Sequence, residues 1–201
     1  MSDETTTPAG PGTAVAGTVP ATASANDRAQ VPDTVGVYGG GRMGAGIAHA
    51  FATAGARVIV IESTEDTAAA ARERVDASIA KSEAKGIAVP GRVDVVRDPT
   101  LLDEALLVVE AVPEDAELKR TILAAIAKYA PAASIGTNTS ALSIDELATA
   151  LPRPQALIGL HFFNPVPVSD LVEIVVGSQT SSELVAAATN WVAALGKTPI
   201  T

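Results

Sequence analysis

The run Gly39-Gly40-Gly41-Arg42-Met43-Gly44 limits what this chain can fold into more than any other feature. It follows a β-branched segment at residues 34–38 and opens a stretch in which Met43, Ile47, Ala50, Phe51 and Ala54 recur on one helical face before Gly55. A glycine turn between a strand and an amphipathic helix fits G-x-G-x-x-G. Gly39 permits the tight turn, Gly41 lets backbone approach a pyrophosphate, and Gly44 lets helix and strand pack closely. The first helical turn, at Arg42 and Met43, presents N–H groups without helical partners to the phosphates. The expected fold is α/β: a Rossmann-type, doubly wound, mainly parallel sheet with helices on both faces.

The remaining pattern agrees with that class. A strand is expected at 57–61, then a helix over 64–85 whose Ala71, Val75 and Ile79 share a face, stopped by Gly86 and Pro90. A weaker strand at 92–96 and a central strand at 106–112 come next. The helix expected over 114–129 turns Leu118, Ile122, Ala125, Ile126 and Tyr129 inward. Strands at 134–136 and 156–160 complete a six-strand parallel count. A further strand at 171–176 precedes a helix over 182–195 that presents Leu184, Ala188, Trp191, Val192 and Leu195, and residues 197–201 begin another extended segment. Residues 1–31 hold Ala, Thr, Gly, Pro and Ser with no apolar period and are expected to be a disordered tail, leaving one domain at 32–201.

Composition narrows the function classes. A formal net charge of -9 and scattered Lys and Arg argue against a nucleic-acid or anionic-membrane partner. The absence of cysteine excludes disulfides, thiolate catalysis and cysteine zinc sites, and two histidines leave little for metals, so no metal is expected. The acidic start and the lack of a long apolar run point to a cytoplasmic protein without a membrane span.

Two constellations carry chemistry. Glu62 ends the second strand 18 residues after Gly44, where a carboxylate accepts hydrogen bonds from adenosine ribose hydroxyls and repels a 2′-phosphate, favouring NAD over NADP. His161 closes the apolar run at 156–160, and Glu173 lies in the next one. A reversal at 164–168 would bring carboxylate and imidazole together, as a general base is oriented. Glu110, last in an apolar strand, needs a polar partner because an unpaired buried carboxylate is costly. Glu114 and Asp115 read as favouring the N-terminus of the next helix. His49 reads as structural, and Phe162, Phe163 and Trp191 as packing residues.

The runs 35–48, 110–115, 138–140 and 161–175 together resemble the L-3-hydroxyacyl-CoA dehydrogenase family, including 3-hydroxybutyryl-CoA dehydrogenases, and the resemblance spans about residues 32–201. It implies NAD-dependent, reversible oxidation of a 3-hydroxyacyl thioester to the 3-oxoacyl thioester. On that resemblance His161 is the general base, Glu173 orients it, and Ser140 hydrogen-bonds the substrate oxygen. A cap for the following helix is the other reading of Ser140. The cofactor site then comprises Gly39, Gly41, Arg42, Met43, Gly44, Glu62, Glu110, Asn138 and Asn164.

The chain departs from the family in two places. The family carries a helical hairpin between its second and third strands that helps hold coenzyme A, whereas only the helix at 64–85 is evident here. Lys81, Ser82 and Lys85 could contact phosphates, although a solvated face is the simpler account. A shortened clamp makes a hydroxyacyl group on an acyl carrier protein, as in polyketide extender-unit synthesis, the alternative substrate. The family's further asparagine motif and its helical domain, which builds a homodimer, are not found within residues 1–201. A non-catalytic NAD-binding sensor is the third reading.

Overall fold

The structure of the protein is a computed structural model that describes residues 30–201, so the expected tail lies almost wholly outside the described residues. Eight strands form one sheet: β1 (Thr34–Tyr38), β2 (Arg57–Ile61), β3 (Arg92–Val96), β4 (Leu107–Glu110), β5 (Ser134–Thr137), β6 (Leu157–Phe162), β7 (Leu171–Val175) and β8 (Thr198–Ile200). Their spatial order is β3-β2-β1-β4-β5-β6-β7-β8. The first six run parallel, as expected, and the order reverses at β1. Ligands bind outside the carboxyl ends of strands at such a reversal. β7 then runs antiparallel to β6, and β8 runs parallel to β7.

Helices α1 (Arg42–Thr53), α2 (Glu65–Glu83) and α5 (Ser182–Ala194) cover one face of the sheet. The other face carries α3 (Ala116–Tyr129), the short α4 (Ile144–Ala148) and a 3₁₀ turn at Pro99–Glu104. Strands covered on both sides read as unbroken apolar runs: Val58, Ile59, Val60 and Ile61 are all buried. β7 alternates instead. Val172 and Ile174 face α5, while Leu171, Glu173 and Val175 are exposed on the opposite side.

The helix boundaries follow their caps. Thr64 closes a capping box on Thr67, and Asp115, Ser143 and Ser181 each accept a hydrogen bond from the first turn of α3, α4 and α5. One helix alone joins β2 to β3, as expected. The inward face of α3 differs from the expected one: Lys119, Leu123 and Ile126 are buried, while Leu118 is exposed and Ile122 only partly covered. Apolar periodicity cannot place a lysine inside. What draws it there is the carboxylate of Glu110, itself wholly buried at the end of β4.

His49 lies on the inner side of α1, with Nε2 2.9 Å from the hydroxyl of Ser82 on α2. Burial first, and the nearby Lys197 charge second, hold its imidazole below the usual histidine value. Ser82 is thus committed to the interior and does not join Lys81 and Lys85 on a phosphate-facing surface. Among the described residues no helix is long and apolar enough to cross a membrane.

Candidate active site

A cleft of about 800 Å³ runs over the carboxyl ends of β2, β1, β4, β5 and β6. Its nucleotide end begins at the glycine loop. Gly39 has φ +96°, and a Cβ on Gly44 would stand 1.8 Å from the Gly39 carbonyl oxygen, so helix and loop could not meet at this distance with any side chain there. Gly41 is the N-cap of α1, with no side-chain hydrogen bond to the first helical turn and open space where its Cβ would be. The N–H groups at Arg42 and Met43 are therefore without an intrahelical or side-chain partner.

Glu62 follows β2 and accepts a hydrogen bond from the Gly40 N–H at 2.5 Å through Oε1. This ties the carboxylate to the loop and leaves Oε2 for a ligand. Ile61, Leu118 and Ile122 add apolar lining beside it. An uncapped helix start, a bare Gly41, a carboxylate at the second strand end and an apolar wall fit the phosphates, ribose and base of a dinucleotide.

Glu110 stands differently. Its oxygens accept from Lys119 Nζ at 2.8 and 3.0 Å, from the Thr137 hydroxyl at 2.6 Å and from the Val112 N–H at 2.7 Å. The carboxylate has the polar partner its burial requires, and it is spent inside the protein, where it shapes the 111–113 wall from beneath.

Glu114 contradicts the helix-start reading. Asp115 is the cap of α3, whereas Glu114 Oε1 accepts from the Thr139 hydroxyl, from Ser140 N–H at 2.9 Å and from Ala141 N–H at 3.1 Å. Its Oε2 lies 3.3 Å from Lys119 Nζ. Burial pushes the Glu114 carboxyl up, but the Thr139, Ser140 and Ala141 hydrogen bonds and the Lys119 charge outweigh it and hold the group below the usual glutamate value. Glu114 thereby fixes the loop that carries Ser140 on the cleft wall. Ser140 does not cap α4; Ser143 does. Asn138, also on the cleft, accepts from the Phe162 N–H at 2.8 Å and so braces the end of β6.

The other end of the cleft carries His161, with Glu173 paired behind it. Antiparallel register sets His161 directly opposite Glu173, and Nδ1 lies 2.8 Å from Oε2. Cross-strand neighbours on one face are close enough for this contact without help from the reversal itself. With Nδ1 donating to the carboxylate, Nε2 is left as an acceptor on a residue that lines the cleft. The Phe163 ring rests 4.5 Å from the imidazole centroid, and Asn164 borders the same space. The structure thus brings Gly39, Gly41, Arg42, Met43, Glu62, Asn138, Ser140, His161 and Asn164 to one cleft. Gly44 lies packed beneath the loop, Glu173 behind His161, and Glu110 in the floor. Glu114 and Lys119 join the site through partners distant in sequence.

Residues 34–201 match the family described as 3-hydroxyacyl-CoA dehydrogenase, NAD binding domain. Among solved structures the chain is similar to (S)-3-hydroxybutyryl-CoA dehydrogenase PaaH1 from Ralstonia eutropha, at 35% identity over 85% of this chain and 63% of that one, with a TM-score of 0.80. It is also similar to M. tuberculosis FadB2, at 34% identity over 85% and 64% of the two chains and a TM-score of 0.79. The 3-hydroxybutyryl-CoA dehydrogenase of Escherichia coli K12 gives 34% identity over 85% of this chain and 38% of its own, with a TM-score of 0.79. The chain therefore spans less than two-thirds of the length of each. On the match and the geometry together, the chain belongs to the 3-hydroxyacyl-CoA dehydrogenase family, as its NAD-binding domain.

Proposed function

We propose that this chain supplies the NAD site and the general base of an enzyme that reversibly oxidises a 3-hydroxyacyl thioester to the 3-oxoacyl thioester. The observation that carries this reading is His161, backed by Glu173, on the same cleft as the glycine loop and Glu62. NAD, when bound, supplies the hydride acceptor. His161 takes the substrate hydroxyl proton at Nε2 as the carbonyl forms. Glu173 keeps the proton on Nδ1 and offsets the positive charge that develops on the ring. Ser140, held by Glu114, donates to the substrate oxygen, and Asn164 borders the reacting end.

Proton transfer by a placed base contributes about 10²- to 10⁴-fold, so positioning and polarisation supply the rest. His161→Ala should lower turnover by at least about 100-fold with NAD binding retained, measured by steady-state assay and calorimetry on this chain alone and joined to a helical domain. Near-normal turnover would end the assignment. NAD binding with no turnover by the unsubstituted protein in either form would favour a sensor.

The single helix between β2 and β3 supports a second substrate reading, a hydroxyacyl group on an acyl carrier protein. Efficient oxidation of 3-hydroxybutyryl-CoA with none of the carrier-bound substrate would dismiss it. The acidic start and the lack of a long apolar run support a cytoplasmic location, and the family reading carries a homodimer built through a helical domain. A monomer by sedimentation of a form containing that domain would remove the dimer.

A further inference from the structure

The reversal between β6 and β7 is held by a group that the proposed chemistry does not use. Lys197 follows α5, and its Nζ donates to the carbonyl oxygens of Val166 at 2.7 Å and Ser169 at 2.6 Å. The next N–H, that of Thr198, donates to the Asp170 carbonyl at 2.6 Å. Residues 197 and 198 therefore close around most of the turn. Its Val166 side chain is buried against α1, where a Cβ on Gly46 would lie 2.9 Å from the Val166 Cβ. α1 is the helix that begins at the glycine loop. The near end of the turn is Asn164, an exposed residue on the cleft.

Two carbonyls converging on one point require a donor with more than one proton, and a lysine ammonium supplies three from a single atom. The hydrogen bonds are charge-assisted and half-buried, where they are stronger than neutral ones. Burial depresses the Lys197 ammonium from its usual value, and the Asp170 carboxylate opposes that shift. An uncharged side chain of similar shape would leave both carbonyls without this partner.

We propose that Lys197 is a positioning residue for the cofactor site. By gathering the Val166 and Ser169 carbonyls it fixes the 164–170 turn against α1 and so sets where Asn164 stands at the nicotinamide end of the cleft. This rests on the NAD reading above. Lys197 is far along the chain from the glycine loop, and it acts on the cleft only through the turn.

The test compares NADH with ADP-ribose, which keeps the adenosine, phosphates and both riboses and lacks the nicotinamide. Lys197→Met should weaken NADH binding at least about tenfold while ADP-ribose affinity stays within about twofold, and Lys197→Arg should recover most of the loss. The Val168 and Ser169 amides both donate to the Pro165 carbonyl, and their hydrogen exchange should quicken at least about tenfold in Lys197→Met. Unchanged NADH affinity in the folded variant, or an equal loss for both ligands, would overturn the proposal. If the unsubstituted chain binds neither ligand, the NAD reading fails and with it the role in cofactor placement. Should Lys197→Met not fold, Lys197→Gln takes its place with the same two outcomes.

Discussion

Two carboxylates in this molecule hold a basic group at the same 2.8 Å, in opposite surroundings. Glu110 and Lys119 are 0% and 1% exposed in their side chains, whereas Glu173 and His161 are 48% and 19% exposed. Around the buried pair every lone pair and proton is engaged: Thr137 and the Val112 N–H complete Glu110, and the Val112 carbonyl and Glu114 complete Lys119. Such a pair organises backbone and has no free site left for a ligand. The open pair has the reverse economy. It contributes little to holding the fold, and its Nε2 is left for a ligand. Similar contacts thus stand closed or open to a ligand according to what surrounds them.

The contrast can be broken most forcefully at Lys119. Lys119→Met leaves Glu110 charged, buried and without its counter-ion, and should cost about 3–5 kcal/mol in urea unfolding. The double variant Lys119→Met/Glu110→Gln should recover much of that loss, because the stranded charge is gone. Full stability of the single variant would show that the buried pair is not the structural one. At the open pair, Glu173→Gln should change stability by less than about 1 kcal/mol, since exposed ion pairs contribute little. Turnover of a 3-hydroxyacyl thioester should nonetheless fall at least about tenfold in the same variant, as the base loses its orienting charge. An unfolding cost as large as that of Lys119→Met would erase the distinction.

Glu114 stands between the two cases, more than one-third exposed yet hydrogen-bonded to the Ser140 loop. Its folded carboxyl sits below the ordinary glutamate value, so its contribution is present above the unfolded value and is lost as pH falls through the lower folded one. Glu114→Gln should therefore make the acid-side loss of stability shallower, by under about 1 kcal/mol after solvent screening. Thermal melts from neutral pH down through the carboxylate range measure it, and an unchanged slope would remove Glu114 from the accounting.

Much of this architecture was legible in local pattern. The glycine loop, α1 and Glu62 all lie within one strand-helix-strand unit, whose periods and turn chemistry are short-range properties. His161 and Glu173 were readable because one reversal separates them. Lys119 was not, because helical periodicity scores a lysine as outward-facing and its partner sits in a neighbouring strand. Nor does local pattern reveal the role of Glu114, since the N–H groups it accepts from, at 140–141, follow β5.

The strand order also governs how the domain must be assembled. Gly36 at the centre of β1 pairs on one side with Ile59 and on the other with Val108. The first partner emerges soon after β1 is synthesised, while the second arrives only after α2 and β3 have been made. Until then the inner strand presents a bare edge, and the longer loop carries the larger closure entropy. The wall at 111–113 is delivered by that same late strand, and Ala111 N–H donates to the Tyr38 carbonyl just before the glycine turn. A nascent chain lacking β4 consequently has a phosphate loop without a finished pocket, and nucleotide can stabilise only those molecules in which the late strand has already docked.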